Sequence, residues 1–249
     1  MAETTFYNLV DELEKYLEYQ RDEGVQRLEV DRAVLAELKR APAPAPLAEE
    51  PKAIPIPENF QTLEEIAAHV AVCHSCPLGQ NRNLAVPGEG KAVRPDILFI
   101  GEGPGADEDA QGRPFVGRAG QLLTKMIEAM GYQRDEVFIA NVVKCRPPNN
   151  RTPLPEEMVT CLPYLRQQIG LLKPRVIVGL GATAIKGLLG KTTGITRLRG
   201  TWQEYEGIKL MPTFHPSYLL RDPSKKKVVW QDLQLVLKEL GREPPPRKK

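Results

Sequence analysis

Four cysteines carry the clearest chemical signal in the sequence. Cys73 and Cys76 are separated by two residues at the end of an apolar helical segment, and Cys145 and Cys161 follow much later, with fifteen residues between them. Cysteine sets of this size ligate zinc or an iron–sulfur cluster. A structural zinc site usually closes with a second short pair, and a thioredoxin-like pair opens a helix rather than ending one. The spacing therefore favours a cluster, while zinc and scattered buried cysteines stay open.

Two glycine-rich stretches imitate nucleotide-binding motifs without completing them. The segment GEGPG (101–105) lacks the last glycine of the dinucleotide fingerprint, and Pro104 removes a backbone N–H that a phosphate would use. The segment GLLGKTTG (187–194) ends like a phosphate-binding loop, but Ile185 stands where that loop begins with glycine. Neither stretch predicts nucleotide binding.

Alternating strand and helix patterns must position these residues. Apolar runs predict strands over 96–100, 136–145 and 174–181, and helical periodicity predicts helices over 63–72, 119–131, 155–170, 182–190 and 225–241. Residues 201–216 suggest a hairpin or strand that ends near His215. This alternation predicts an α/β fold with a mostly parallel sheet. Because ligands bind at the carboxyl ends of such strands, we expect 101–105, 141–145 and 213–215 to meet there.

The chain divides by composition into four parts. We expect a helical arm over 1–40, a stiff proline-rich linker over 41–58, the main domain over 59–241 and a basic tail over 242–249. The first 50 residues hold 12 acidic and 6 basic residues, whereas the remainder holds 20 acidic and 28 basic residues, a mildly basic body suited to an acidic polymer. No apolar run is long enough for a membrane helix, and the acidic N-terminus is not a secretory signal. A cytoplasmic, reducing setting without disulfides is expected.

Three motifs add a specific resemblance. The segments GEGPGADEDAQGRPFVGRAGQLL (101–123), NVVKCRPPNNRTP (141–153) and HPSYLLR (215–221), together with the four cysteines, resemble the family 4 uracil-DNA glycosylases. The resemblance covers about residues 60–240 in order and spacing. It implies a three-layer α/β/α fold and uracil-containing DNA, single- or double-stranded, as substrate. It also implies a monomer with one 4Fe-4S cluster held by all four cysteines.

The resemblance assigns roles around the base. It places Phe115 as the stacking surface, Asn141 as the amide that reads the O4/N3 edge of uracil, and His215 as a donor to uracil O2. Glu102 is expected to orient the attacking water or to favour the sugar cation. Gly103 stands where family 1 has an aspartate, so it offers backbone groups instead of a side chain.

The last motif is expected to hold the DNA strand. Leu219 matches the wedge that fills the vacated stack, and Ser217 and Arg221 match contacts to the strand. Arg199 and Lys225–Lys227 are further candidates for phosphate contacts.

Thymine exclusion has no obvious residue in the sequence. Gly105 stands where family 1 has the tyrosine that blocks the thymine methyl group, so the stretch 107–109 is the candidate replacement. The basic insertion of a related branch that bonds covalently to DNA does not occur after Phe115, which predicts ordinary hydrolytic release.

Two other functions stay open from the residues. A non-catalytic nucleic-acid or polymerase-associated module would keep the fold and use the arm to dock a protein partner, and a zinc-stabilised domain would use the cysteines alone. The candidate residues Glu102, Phe115, Asn141 and His215 are all present, which argues for retained catalysis. Residues 1–58 are expected to be dispensable for base excision.

Overall fold

The computed structural model of this chain describes residues 55–190 and 193–246. The expected helical arm (1–40), most of the proline-rich linker (41–54) and the end of the basic tail (247–249) lie outside the described residues.

Strands and helices alternate through the described part of the chain. The strands are β1 (Glu89–Gly90), β2 (Ile97–Gly101), β3 (Phe138–Asn141), β4 (Val176–Leu180), β5 (Gln203–Tyr205) and β6 (Ile208–Thr213). The longer helices are α1 (Leu63–Val72), α4 (Arg118–Ala129), α5 (Pro155–Leu172), α6 (Ala182–Leu189) and α9 (Lys226–Glu239). Short helices lie between them: α2 (Leu78–Asn81), α3 (Ala106–Gln111), α7 (Ile195–Leu198) and α8 (Pro216–Arg221).

The six strands of the described residues form one sheet in the order β1-β3-β2-β4-β6-β5. The four central strands are parallel, and the two edge strands β1 and β5 run antiparallel to their neighbours. Gly101 pairs with Asn141, and Leu180 pairs with Thr213, at the carboxyl ends of the parallel strands. The order of the strands therefore brings the ends of β2, β3, β4 and β6 to one edge of the sheet.

Helices cover both faces of the sheet, so the two middle strands β2 and β4 are apolar without interruption. Alternate residues of β2 show this division: Leu98 and Ile100 pack in the cluster with α1, α5 and α6, whereas Ile97 and Phe99 pack in the cluster with α4 and α9. All five residues of β2 and of β4 are buried. The expected three-layer α/β/α arrangement is confirmed.

The local predictions differ from the structure mainly in strand length. Thr62 caps α1, since its hydroxyl accepts a hydrogen bond of 3.1 Å from the Glu65 amide, and the hairpin of β5 and β6 forms as expected. The predicted strand 136–145 is shorter in the structure, Phe138–Asn141, although the amides of Val142 and Val143 still donate to the carbonyls of Gly101 and Glu102. In the described ranges, no helix has both the length and the apolar character needed to span a membrane.

Candidate active site

One cavity of about 600 Å³ opens at the carboxyl edge of the sheet. It is lined by the loops that follow β2, β3, β4 and β6, as the strand order predicts. Most of the residues assigned to the base and the strand by resemblance lie in its wall: Glu102, Gly103, Phe115, Asn141, His215, Ser217 and Arg221. The three motifs, which are far apart in the sequence, therefore build one site.

Phe115 forms an aromatic wall in a backbone conformation that is unusual for its type. Its φ is +50°, in the left-handed region, and its side chain is buried. The backbone is held from both sides: Arg134 donates to the carbonyl of Pro114, and Glu108 Oε1 accepts hydrogen bonds from the amides of Val116 (2.8 Å) and Gly117 (3.0 Å). The ring is thus fixed before a ligand arrives.

Asn141 carries an unsatisfied polar atom into the site. Its side chain is 1% exposed, and Oδ1 is buried without a hydrogen-bond partner among the described residues. Leaving such an acceptor unpaired costs about 1–3 kcal/mol, which a ligand with a suitable donor recovers. A Cβ atom at Gly101 would lie 2.5 Å from this Oδ1 and 2.5 Å from Phe115 Cζ, so only glycine leaves room for both groups.

His215 ends the loop after β6 and caps the N-terminus of α8. Its Nδ1 accepts a hydrogen bond of 3.1 Å from the Ser217 amide, and the Ser217 hydroxyl lies 2.7 Å from the same atom. Because Nδ1 acts as an acceptor, the hydrogen of the neutral ring belongs on Nε2. Burial, and next the positive charge of Arg221, lower the pKa of His215 to about 4. The imidazole is therefore neutral at physiological pH.

The ring of His215 and the ring of Phe115 form neighbouring parts of the cavity wall. Their centroids are 5.5 Å apart with an angle of 35° between the planes. Gly181 has a φ of +91°, and a Cβ atom there would approach His215 Cβ to 3.0 Å, so a glycine is required at the end of β4. A planar ligand against Phe115 thus lies within reach of both His215 and Asn141.

In the acidic stretch after β2, Glu108 lies in the cavity wall, whereas Asp109 is buried inside the protein. Glu108 lines the cavity and also caps the loop 101–105, because its Oε2 accepts from the Gly105 amide at 3.0 Å. Asp109 is buried and is used by the chain itself, since it accepts from the backbone and side-chain amides of Asn83. Of the candidate stretch 107–109 for thymine exclusion, Glu108 is the residue in the wall. A glutamate at the third position of a helix is a capping signal that sequence reasoning had not used.

Two residues expected to contact DNA are engaged within the protein. Leu219 is 1% exposed and packs in the core cluster with α4 and α9, so its side chain is not on the surface that would meet a base stack. The next residue of α8, Leu220, is 39% exposed. Arg199 forms an ion pair with the buried Asp232 and donates to the carbonyl of Val228 at 2.7 Å, so its guanidinium is already bound inside the protein.

The four cysteines converge on one small pocket on the side of α1 and α5. Cys73 and Cys76 precede α2, Cys145 follows β3, and Cys161 lies in α5; all four are free thiols. Burial raises the pKa of Cys161 to about 12 and also raises the pKa of Cys145 and of Cys76.

Nitrogen donors surround the sulfur atoms. Arg82 Nη1 donates to Cys145 Sγ at 2.9 Å, and the Lys144 amide donates to Cys161 Sγ at 3.3 Å. Four sulfur ligands with such donors fit a thiolate-bound cluster. The thiols do not form a ready group for one metal ion: in residues 55–190 and 193–246, no three His, Cys, Asp or Glu side chains are so arranged.

Comparisons with known proteins agree with this geometry. The sequence model of the uracil DNA glycosylase superfamily matches residues 87–234. A type-4 uracil-DNA glycosylase of Thermotoga maritima is 49% identical over 187 residues, which cover 74% of this chain and 97% of that protein. A type-4 enzyme of Sulfurisphaera tokodaii is 45% identical, with 74% and 87% covered, and a type-5 enzyme of Pyrobaculum aerophilum is 32% identical, with 49% and 62% covered.

Proposed function

Because the chain belongs to the type-4 uracil-DNA glycosylases, we propose that it removes uracil from DNA by hydrolysing the N-glycosidic bond and leaves an abasic site. The observation that carries the proposal is the buried Asn141 Oδ1, which lacks a hydrogen-bond partner in the described part of the chain and lies beside the Phe115 ring in the cavity. An extruded pyrimidine supplies what both groups require, a flat face and a polar edge.

The bound base is read by stacking and by the amide. Stacking of a base on an aromatic ring is worth about 1–3 kcal/mol and does not depend on the identity of the base. Selectivity therefore comes from Asn141: its Oδ1 accepts from N3–H of uracil, and its Nδ2 donates to O4. Cytosine presents an acceptor at N3 and a donor at N4, so one fixed amide orientation disfavours it.

Departure of the base requires stabilisation of negative charge. When the bond between C1′ and N1 breaks, its electron pair stays on uracil and the sugar becomes oxocarbenium-like. Nε2–H of the neutral His215 donates to uracil O2 as charge develops there, and the ring stays uncharged before and after the step. Glu102 in the cavity wall orients a water molecule toward C1′, and that water supplies the hydroxyl group of the abasic sugar, while the proton that it gives up neutralises the released uracil anion.

Extrusion of the base leaves a gap in the stack. We propose that the exposed Leu220, instead of the buried Leu219, fills this gap. Leu220→Ala is expected to slow excision from duplex DNA about tenfold and to leave excision from single strands nearly unchanged, because only a duplex must be wedged open. Single-turnover rates on the two substrates measure this difference.

Leu219→Ala is the matched control for that experiment. The buried Leu219 contributes to folding, so its loss is expected to cost about 2–5 kcal/mol of unfolding free energy and to lower the melting temperature. A larger duplex-specific loss in Leu219→Ala than in Leu220→Ala would contradict the assignment.

A 4Fe-4S cluster is the group that we propose for the cysteine pocket, held by Cys73, Cys76, Cys145 and Cys161. When bound, it supplies cross-links between three distant parts of the chain: the segment 73–76, the loop after β3 and helix α5. Cys145 lies four residues beyond Asn141, so the anchored strand end keeps the amide in place. The residues at the cavity carry out the hydrolysis.

Cys73→Ala is expected to lose the brown absorption at about 400 nm and to have a lower melting temperature. Its stability should be affected more than its rate of uracil excision. Anaerobic purification, an absorption spectrum and a thermal scan measure both. His74→Ala, one residue away, is the control that should keep the colour. A colourless Cys73→Ala protein with full stability and full activity would rule out the structural role.

The proposed activity is tested with a labelled oligonucleotide that contains one uracil. After incubation, alkali cleaves the strand wherever an abasic site has formed. The expected result is cleavage at uracil, no cleavage of a matched oligonucleotide with thymine, and a much weaker band with Asn141→Ala. Absence of abasic product from the uracil strand would overturn the proposal.

A further inference from the structure

Lys144 is a fully buried lysine that lies between the cavity and the cysteine pocket. It lies between Val143 and Cys145, just beyond the end of β3, and is 1% exposed. Lysine is almost never buried to this degree unless its ammonium group is paired. The ammonium of Lys144 makes two hydrogen bonds, to the Asn141 carbonyl oxygen at 2.9 Å and to Gln168 Oε1 at 2.6 Å.

The second partner of Lys144 is itself fixed. Gln168 on α5 is 2% exposed, and its Nε2 donates to the carbonyl of Pro87 at 2.8 Å. The backbone of Lys144 is held as well, because its carbonyl accepts from the Val86 amide at 2.8 Å and its amide donates to Cys161 Sγ at 3.3 Å. The ammonium group therefore has a fixed place from which to hold Asn141.

The hydrogen bond from Lys144 to the Asn141 carbonyl fixes the backbone that carries the Asn141 side chain. The peptide that carries this oxygen joins Asn141 to Val142, whose amide donates to the Gly101 carbonyl at 3.0 Å. Both ends of that peptide are thus bonded, and a peptide unit is planar. Fixing it sets the backbone from which the Asn141 side chain reaches the cavity.

We propose that Lys144 is a positioning residue for Asn141, through which the cysteine-lined pocket and the base-reading amide are joined. The inference rests on the proposed role of Asn141 in the cavity. Lys144 touches no substrate; it holds the carbonyl of the residue that does. It also lies in the wall of the pocket formed by the four cysteines, where its positive charge complements the negative charge that thiolate ligands bring.

A double-mutant cycle separates this role from general stability. Lys144→Met is expected to lower the single-turnover rate of uracil excision about ten- to a hundredfold. If the loss acts through Asn141, the same change in an Asn141→Ala background costs less than about threefold. All rates are divided by the folded fraction from circular dichroism, and the absorption near about 400 nm is recorded for each protein.

Tyr164→Phe is the matched control for the cycle. Tyr164 is 1% exposed and lines the same pocket, but its hydroxyl interacts with His69 Nδ1 at 2.6 Å and with the Cys73 thiol, whereas Lys144 bonds to the Asn141 carbonyl. Its effect is expected to be the same in both backgrounds. If Lys144→Met does not fold, Lys144→Leu takes its place in the cycle, since leucine also removes the donor to the Asn141 carbonyl.

The outcomes distinguish the inferred role of Lys144 from the proposed role of Asn141. Coupling of tenfold or more between Lys144 and Asn141, with additive effects for Tyr164, supports the inference. Equal effects of the Lys144 substitution in both backgrounds overturn it, even if Asn141→Ala is slow. If Asn141→Ala excises uracil as fast as the unchanged protein, the proposed role of Asn141 fails instead.

Discussion

Asn141→Ala is expected to slow single-turnover excision of uracil by about two to three orders of magnitude, the usual cost of losing one preorganised group that acts on the reacting species. The side chain is buried, its Oδ1 has no partner among the described residues, and the missing Cβ of Gly101 leaves room for this Oδ1 beside the Phe115 ring. Alanine removes both the acceptor and the donor. Stacking on Phe115 stays, so binding should be retained better than the rate.

Asn141→Asp tests more specifically whether the Asn141 amide discriminates between uracil and cytosine. A carboxylate offers two acceptors, so it keeps a contact to N3–H of uracil but loses the donor to O4, and it gains an acceptor for the amino group of cytosine. The ratio of uracil to cytosine excision should fall further in Asn141→Asp than in Asn141→Ala. An unchanged ratio in both variants would show that another residue reads the base.

His215→Leu is expected to lower the single-turnover rate by a similar factor, about a hundred- to a thousandfold, because it removes the donor to uracil O2. His215→Gln keeps an amide donor of similar reach and should recover part of the loss. Ser217→Ala tests the tautomer: the Ser217 amide still donates to Nδ1, so this variant should lose far less than His215→Leu. Equal rates for His215→Leu and the unchanged protein would remove His215 from the mechanism.

The pKa of His215 gives the same prediction a pH signature. Because that pKa is lowered from 6.5 to about 4, the ring stays neutral as the pH falls from 8 to 5, and the rate should show no titration of His215 in that range. A lowered folded-state pKa means that protonation favours the unfolded chain. His215 therefore leaves the unfolding free energy at its full value above pH 6.5, and this free energy decreases as the pH falls from 6.5 toward 4.

That loss is measured by denaturant unfolding at several pH values. His215→Gln should show a smaller decline in unfolding free energy between pH 6.5 and pH 4 than the unchanged protein. A rate that falls with an apparent pKa near 6.5 in the unchanged protein, but not in the variant, would show that the ring is not held neutral.

Much of the site was predictable because it lies where strands end. The apolar runs predicted β2, β3 and β4, which end at Gly101, Asn141 and Leu180, and a parallel sheet brings such ends together. The residues at these ends and the motif resemblance were enough to bring Glu102, Phe115, Asn141 and His215 to one cavity.

The orientation of individual side chains was not predictable in the same way. Leu219 and Leu220 are neighbours of the same type, and only the packing of α8 decides that the first is buried and the second exposed. Arg199 resembled any surface cation, but its partner Asp232 lies on α9, more than thirty residues away in the sequence. Contacts of this range depend on the tertiary fold.

The residues that support the site were not predictable either, because their contacts also depend on the tertiary fold. Lys144 stands in the predicted strand segment as one lysine among apolar residues, with no sequence signal that it turns inward to a backbone carbonyl. The positive φ of Phe115 likewise follows from the contacts of Arg134 and Glu108, which come from different elements.

The central claim is that this cavity selects uracil and releases it from DNA. Single-turnover base release from three oligonucleotides, identical except for uracil, thymine or cytosine at one position, tests it most directly when the unchanged protein and Asn141→Ala are compared. We expect the unchanged protein to release uracil alone and Asn141→Ala to do so at least about a hundredfold more slowly. Comparable release of thymine or cytosine by the unchanged protein, or equal rates on uracil for both proteins, would contradict the account.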